Sequence, residues 1–229
     1  MNKLLLILLS TYVLLADALP QTIKTTISNV ASNGQVQLAT SVPKGMSGIV
    51  VHNYSNGLSA ITHSLISQGN SSAITSAYTA TKHPNIPTIK TAVQANDTVV
   101  LGNFYNNALV IAPNKRTYEQ ITQQFQKTWI HPDAYAIDFM GESQSAISLE
   151  SLEKFALINQ VGLVLIASED GLLILDPISK SFLGKLPLTP SSEKTISPFF
   201  TRFQQQNTGT FSFKSVDYTN YYQAIKELK

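Results

Sequence analysis

The chain has 229 residues, no cysteine, only 13% charged residues and a formal net charge of +2. Those values exclude a collagen, a coiled coil, a disulfide framework, a thiolate zinc site and a lipid-modified cysteine. The cations are spread along the chain without a run, so the electrostatic footprint of a nucleic-acid or anionic-membrane binder is missing.

Met1-Asn2-Lys3 is followed by an apolar stretch over 4–16, broken only by Ser10, Thr11 and Tyr12, and then by Ala16-Asp17-Ala18. One positive charge, a short apolar core and small residues where a signal peptidase reads predict a signal peptide over 1–18, cleaved after Ala18. The run is too short for a membrane anchor and meets Pro20. Cleavage removes Lys3 and Asp17 together, so the net charge is unchanged, and roughly 210 residues remain, enough for one sizeable core or two small ones. The apolar runs 161–167 and 172–175 are hairpin-sized and separated by Glu169-Asp170-Gly171, so no second stretch is long enough to span a bilayer. The expected location is the periplasm, with the cell surface as the alternative.

Residues 19–112 are expected to form a β-rich antiparallel subdomain. The text is rich in Ser, Thr, Val and Ile, and alternating runs at 22–28, 35–40, 48–53, 58–67, 73–81, 98–103 and 108–111 read as strands. Asn33-Gly34 and Asn56-Gly57 mark tight turns, because both residue types tolerate positive φ. His83-Pro84-Asn85-Ile86-Pro87 belongs to a loop or an edge, since two prolines remove ladder donors.

Residues 113–229 are expected to form an α/β subdomain. Thr117 with Gln120 resembles a capping box, and Tyr118, Ile121, Phe125 and Trp129 then share one helix face. Pro132 suits the first turn of a second helix, with Asp133 favourable against its dipole. A third helix follows Ser148 and turns Leu149, Leu152 and Phe155-Ala156 inward. Strands 161–167 and 172–175 are apolar on consecutive residues, which predicts a hairpin covered on both faces, around a turn at Asp170-Gly171. Thr210-Phe211-Ser212-Phe213 alternates as an edge strand does. Tyr218, Tyr221, Tyr222, Ile225 and Leu228 form the stripe of a C-terminal helix docked by its aromatic face. The expected fold is α+β, helices packed on a buried hairpin after a β-rich half.

The chemistry-bearing residues do not assemble into a known catalytic or metal motif. His52, His63, His83 and His131 are isolated, with no paired ligand spacing, so no metal or cofactor is expected. Gly141-Glu142-Ser143-Gln144-Ser145 lacks the closing glycine of a nucleophile elbow. Lys44-Gly45-Met46-Ser47-Gly48 precedes a strand where a phosphate cradle must open a helix, so a turn is expected. Asp133, Asp138, Glu142, Glu150, Glu153 and Asp176 could supply paired carboxylates for glycoside chemistry, but solvated faces and helix N-termini account for them. Trp129-Ile130-His131-Pro132-Asp133 is either a binding corner or a junction of two helices anchored by Trp129. No catalytic residue is assigned, and the chain is not expected to be an enzyme.

The run from Lys44 to His52, Thr98-Val99-Val100-Leu101, Leu109-Val110-Ile111-Ala112-Pro113-Asn114, Tyr118, and Trp129-Ile130-His131-Pro132-Asp133 resemble the N-terminal domain family of bacterial plasminogen-binding proteins. Gly162-Leu163-Val164 and Leu175-Asp176 follow in the same order, so the similarity covers about residues 44–185. It implies an exported envelope protein of spiral Gram-negative bacteria with no catalytic activity. In that family the binding of plasminogen is attributed to a C-terminal lysine on a charged, lysine-rich extension. This chain lacks the extension and closes on Lys226-Glu227-Leu228-Lys229, and a terminal lysine pairs an ammonium with a carboxylate, as a kringle lysine site recognises.

Three functions therefore stand: a surface protein capturing host plasminogen through Lys229, a periplasmic scaffold of an envelope machine such as the flagellar motor, and an envelope enzyme with an unrecognised site. Weak charge, many strands and the missing active-site grammar favour the first two, each a non-catalytic interaction with a protein partner. The expected partner-binding residues are Lys229, Tyr218, Tyr221, Tyr222, Trp129 and His131.

Overall fold

A computed structural model describes residues 18–31, 33–78, 90–141, 147–203 and 221–228. Four strands come first: β1 (Ile23–Val30), β2 (Gln35–Asn53), β3 (Ser59–Ala77) and β4 (Thr98–Leu101). All their pairings are antiparallel, and β1 bonds to both β4 and the start of β2, so the sheet curls back on itself. The two ends of β3 approach each other at the Tyr78 amide, which donates to the Thr62 carbonyl at 3.3 Å, and at the Ser64 and Ser76 hydroxyls, 2.8 Å apart. One face of each strand points inward, and Ile27, Val36, Leu38, Val50, Leu65, Val99 and Leu101 fill the interior.

The expected strand pairs 35–40 with 48–53, and 58–67 with 73–81, are each one long strand. Bulges interrupt the β2–β3 ladder at Lys44 to Ser47, and Gly45 (φ +89°), Gly69 (φ +92°) and Asn70 (φ 53°) bend the strands there without ending them. The segment 44–48, expected as a turn, is thus a bulged strand. Its glycines let neighbouring layers approach. A Cβ on Gly48 would lie 2.5 Å from the Val100 carbonyl oxygen, and one on Gly45 would lie 2.8 Å from Ser181 Cβ.

The rest of the chain builds β5 (Asn107–Ile111), α1 (Lys115–Gln124), β6 (Thr128–Ile130), α2 (Pro132–Gly141), α3 (Leu149–Asn159), β7 (Leu163–Ser168), β8 (Gly171–Asp176), β9 (Ser181–Leu186) and α4 (Tyr221–Lys226). The expected hairpin β7–β8 exists and is buried on both faces, but it sits in a five-stranded sheet of order β6-β5-β7-β8-β9. In that sheet β5 runs parallel to both β6 and β7. Strand β5, expected as the last of the first half, therefore pairs entirely with the second. The α+β class holds, with a β-rich antiparallel half followed by the helices.

Alternation explains the layering. Ala108, Val110, Leu163, Leu165, Leu172 and Ile174 join the interior of the first sheet, together with Ile121 of α1. Their neighbours Leu109, Ile111, Val164, Ile166, Leu173 and Leu175 pack under α2, α3 and α4. The second sheet is thus the middle layer of three. Asp176, fully buried, fastens it to the first sheet: its carboxylate accepts the Ser47 amide and the Tyr105 hydroxyl, both at 2.7 Å, and the amides of Ile178 and Ser179 at 3.0 Å. Burial, then the adjacent Asp176 charge and hydrogen bond, push the Tyr105 ionisation far up, so it remains a donor.

Helix α1 begins three residues earlier than the Thr117 box predicts. Asn114 is the N-cap, its Oδ1 accepting the Thr117 amide at 2.9 Å, and the helix stops at Gln124. Trp129 therefore lies on β6 and not on the helix. Ser148 caps α3 as expected, through a reciprocal box with Ser151. The expected signal peptide before Ala18, the loop or edge expected at 83–87, the edge strand expected at 210–213, Tyr218 and Lys229 lie outside the described residues.

Candidate functional site

The connections from β5 through α1 to β6, and from β6 through α2 and α3 to β7, cross the sheet in opposite directions, with α1 on one face and α2 and α3 on the other. The carboxyl ends of β5 and β6 are consequently a topological switch point, the crevice where open α/β sheets hold ligands. The two most distinctive words of the sequence, Ile111-Ala112-Pro113-Asn114 and His131-Pro132-Asp133, meet there.

Here the chain fills its own crevice. The Ile196 amide donates to the Pro113 carbonyl at 2.7 Å and the Phe200 amide to that of Ala112 at 2.8 Å, which drives Phe199, Phe200 and Thr201 into the fold, all buried. Asn114 Nδ2 reaches the carbonyls of Ser191 (3.2 Å) and Glu193 (3.1 Å), and the Ser191 amide donates to Thr117 Oγ1 at 3.0 Å. On the β6 side Asp133 Oδ1 accepts the Arg202 backbone amide at 2.9 Å and Oδ2 accepts Arg202 Nε at 2.5 Å. His131 Nδ1 accepts the Asp133 amide at 3.2 Å, which requires an unprotonated nitrogen. Burial, with the Arg202 charge adding and Asp133 opposing, lowers the His131 pKa in agreement. Tyr118 (5.3 Å between ring centroids) and Phe200 (6.3 Å) flank the imidazole, and burial raises the Tyr118 ionisation.

Two further histidines, His52 and His63, lie on the first sheet near Asp97, and His52 alone contacts it. His52 Nδ1 lies 2.6 Å from Asp97 Oδ1, Asp97 Oδ2 accepts the Gln94 amide at 2.9 Å, and the Tyr54 ring stands edge-on to His52 at 4.6 Å. His63 lies within the field of Asp97, yet burial dominates and lowers its pKa. The Nδ1 of His63 and the adjacent Thr62 hydroxyl are buried without a hydrogen-bond partner. No group of three metal-ligating side chains occurs among the described residues.

Of the residues singled out in the sequence, Trp129 is half-buried against the core shared by the two sheets, and His131 is half-buried at the β6–α2 corner. Tyr221 is fully buried, its hydroxyl 2.9 Å from the Ile111 carbonyl and 2.8 Å from that of Ala167, whereas Tyr222 is half-buried at the edge of the Tyr221 ring. Of the carboxylates considered for paired chemistry, Asp133 and Asp176 hold corners and layers together, and Glu153 pairs with Lys180 at 2.9 Å. Phe200, Arg202 and Asp97 gave no local sequence signal, because their partners lie tens of positions away along the chain.

The family model described as plasminogen-binding protein pgbA N-terminal matches residues 22–227. The plasminogen-binding protein PgbA of Helicobacter pylori strain J99 is 28% identical over 166 residues, which is 70% of this chain and 36% of that protein. PgbA of strain 26695 is 29% identical over 155 residues, 65% of this chain and 34% of that protein. The chain thus spans about a third of the length of the curated relatives it matches. No solved structure matches it.

Proposed function

This chain belongs to the family of plasminogen-binding protein N-terminal domains, and on that premise we propose that it is an exported, non-catalytic envelope domain that works by binding a protein partner. One observation carries the non-catalytic part. The switch-point crevice, where an α/β sheet keeps its substrate, is filled by Phe199, Phe200 and Thr201; Asn114 and Asp133 at its rim hold the β5 and β6 corners, and the Thr201 hydroxyl is buried there without a hydrogen-bond partner. Export is supported by the charge, apolar run and small residues of 1–18, and by the placement of Leu19, which is buried immediately after the expected cleavage point.

The partner is host plasminogen or a neighbour in the periplasm, such as a component of the flagellar motor. Capture of plasminogen would run through Lys229, which follows α4 and the core residue Leu228 in the sequence. Tyr222, Trp129 and His131, all half-buried, are the candidate contacts for a packed neighbour. Protease treatment of intact cells, against cells with a permeabilised outer membrane, separates the two. Cleavage in intact cells, with plasminogen capture lost in Lys229→Ala and to a free lysine analogue, supports host binding. Protection until permeabilisation supports the periplasmic scaffold, and an unprocessed chain recovered from the cytosol overturns export altogether.

A further inference from the structure

We propose that His52 and His63 form a two-imidazole site for a late first-row divalent metal ion, copper(II) ahead of zinc(II), with water completing the coordination. Their separation along the chain matches no ligand motif, but the β2–β3 register brings them to one face. His63 pairs with Val50, which is fully buried in the interior of the first sheet, and His52 follows Val50 by two residues. Alternation therefore points both imidazoles to the interior side. The bulge between Val50 and Val51 puts the extra residue, Thr62, in β3, and the pattern resumes with the exposed Ile61 opposite Val51. Diagonal neighbours of this kind stand about 7 Å apart, a span that two histidines close around one ion.

The surroundings of each ring add a second observation. Asp97, buried and without a Lys or Arg partner among the described residues, accepts the His52 Nδ1 proton at 2.6 Å. A carboxylate on one nitrogen of a histidine is the usual outer support of a metal ligand, since it fixes the tautomer and leaves Nε2 with its lone pair. Strand β2 lies between β4 and β3, and the two nitrogens of an imidazole diverge. With Nδ1 held by Asp97 beside β4, Nε2 turns toward the β3 side, where His63 stands. His63 makes no hydrogen bond among the described residues, and its Nδ1 is buried. A buried polar atom left so commonly takes an ion or an ordered water. Burial lowers the His63 pKa against the Asp97 charge, so the imidazole is neutral and able to ligate near pH 7. Asp97 Oδ2 is taken by the Gln94 amide, and no third ligating side chain of the described residues joins the pair. Two nitrogen ligands in an otherwise open shell suit copper or zinc and not the oxygen-seeking magnesium or calcium.

The site depends on neither partner named above. The test is calorimetric titration of the untagged, chelator-treated full chain with copper(II), beside zinc(II) and magnesium, followed by electron paramagnetic resonance of the copper complex. A single copper ion per chain is expected to bind saturably and more tightly than zinc, with nitrogen couplings from two imidazoles, while magnesium does not bind. His52→Gln and His63→Gln should each weaken copper binding at least about tenfold and remove one imidazole coupling, and Asp97→Asn should weaken it about tenfold with both couplings kept. His83→Gln should change nothing. His63 has no hydrogen bond to lose among the described residues, so His63→Gln keeps the test decisive if the His52 or Asp97 variant fails to fold. Absence of saturable copper binding, binding unchanged in His63→Gln, or its loss in His83→Gln overturns the proposal.

Discussion

The two sheets solve the burial problem differently. The first curls around its own interior and buries one face of each strand, so β2 reads buried at Val50 and half-buried at Ile49 and Val51. The second lies between two layers, and β7 and β8 are buried at every position. In the first half, therefore, the position along the strand decides what a side chain contributes. In the second, every residue of the central strands is core, whichever way it points.

The substitution expected to hurt most removes what joins the halves. Asp176→Ala leaves the Ser47, Ile178 and Ser179 amides and the Tyr105 hydroxyl without their buried acceptor. Each orphaned buried donor costs about 1–3 kcal/mol, so a loss on the order of 4 kcal/mol or more is expected in urea unfolding. A loss under about 1 kcal/mol would mean the sheets are held by apolar contact alone. Next in size is a test on neighbours. Leu165→Ala and Ile166→Ala should each cost about 2–5 kcal/mol, although they face opposite layers, whereas Ile49→Ala should cost under about 1 kcal/mol. Equal costs at Ile49 and Ile166 would erase the distinction between the two sheets.

That distinction was partly legible in the sequence. Consecutive apolar residues at 163–167 announced a strand covered twice, Ser148 announced its helix, and Pro132 began α2 as expected. What sequence could not show was which strands pair. A parallel neighbour lies dozens of residues away, so the β5–β7 ladder left no local mark, and Leu109-Val110-Ile111 looked like the end of the first half. Bulges were hidden for a related reason: Gly45 and Gly69 read as breaks, while the ladder resumes beyond them. The site was legible only as words. His131-Pro132-Asp133 stood out, but Arg202 and Phe200, which close the crevice, come from a stretch without periodicity.

The smallest expected effect divides the halves by pH, since each contains one histidine whose pKa burial lowers: His63 in the first sheet and His131 at the β6 corner. A lowered pKa means that below about pH 6.5 the unfolded chain binds more protons than the folded one. Stability conferred by the neutral imidazoles is therefore complete above about pH 6.5 and declines as pH falls toward their lowered values. His63 Nδ1 has no partner, so His63→Phe should remove its share of the acid sensitivity at little cost at pH 7.5. His131 Nδ1 accepts the Asp133 amide, so His131→Asn can keep an acceptor there while removing the titration. Thermal melts at pH 7.5 and 5.5 should show a shallower acid decline for either variant than for the parent, and a shallower one still for both together. An unchanged decline in the double variant would mean that neither imidazole carries the acid sensitivity.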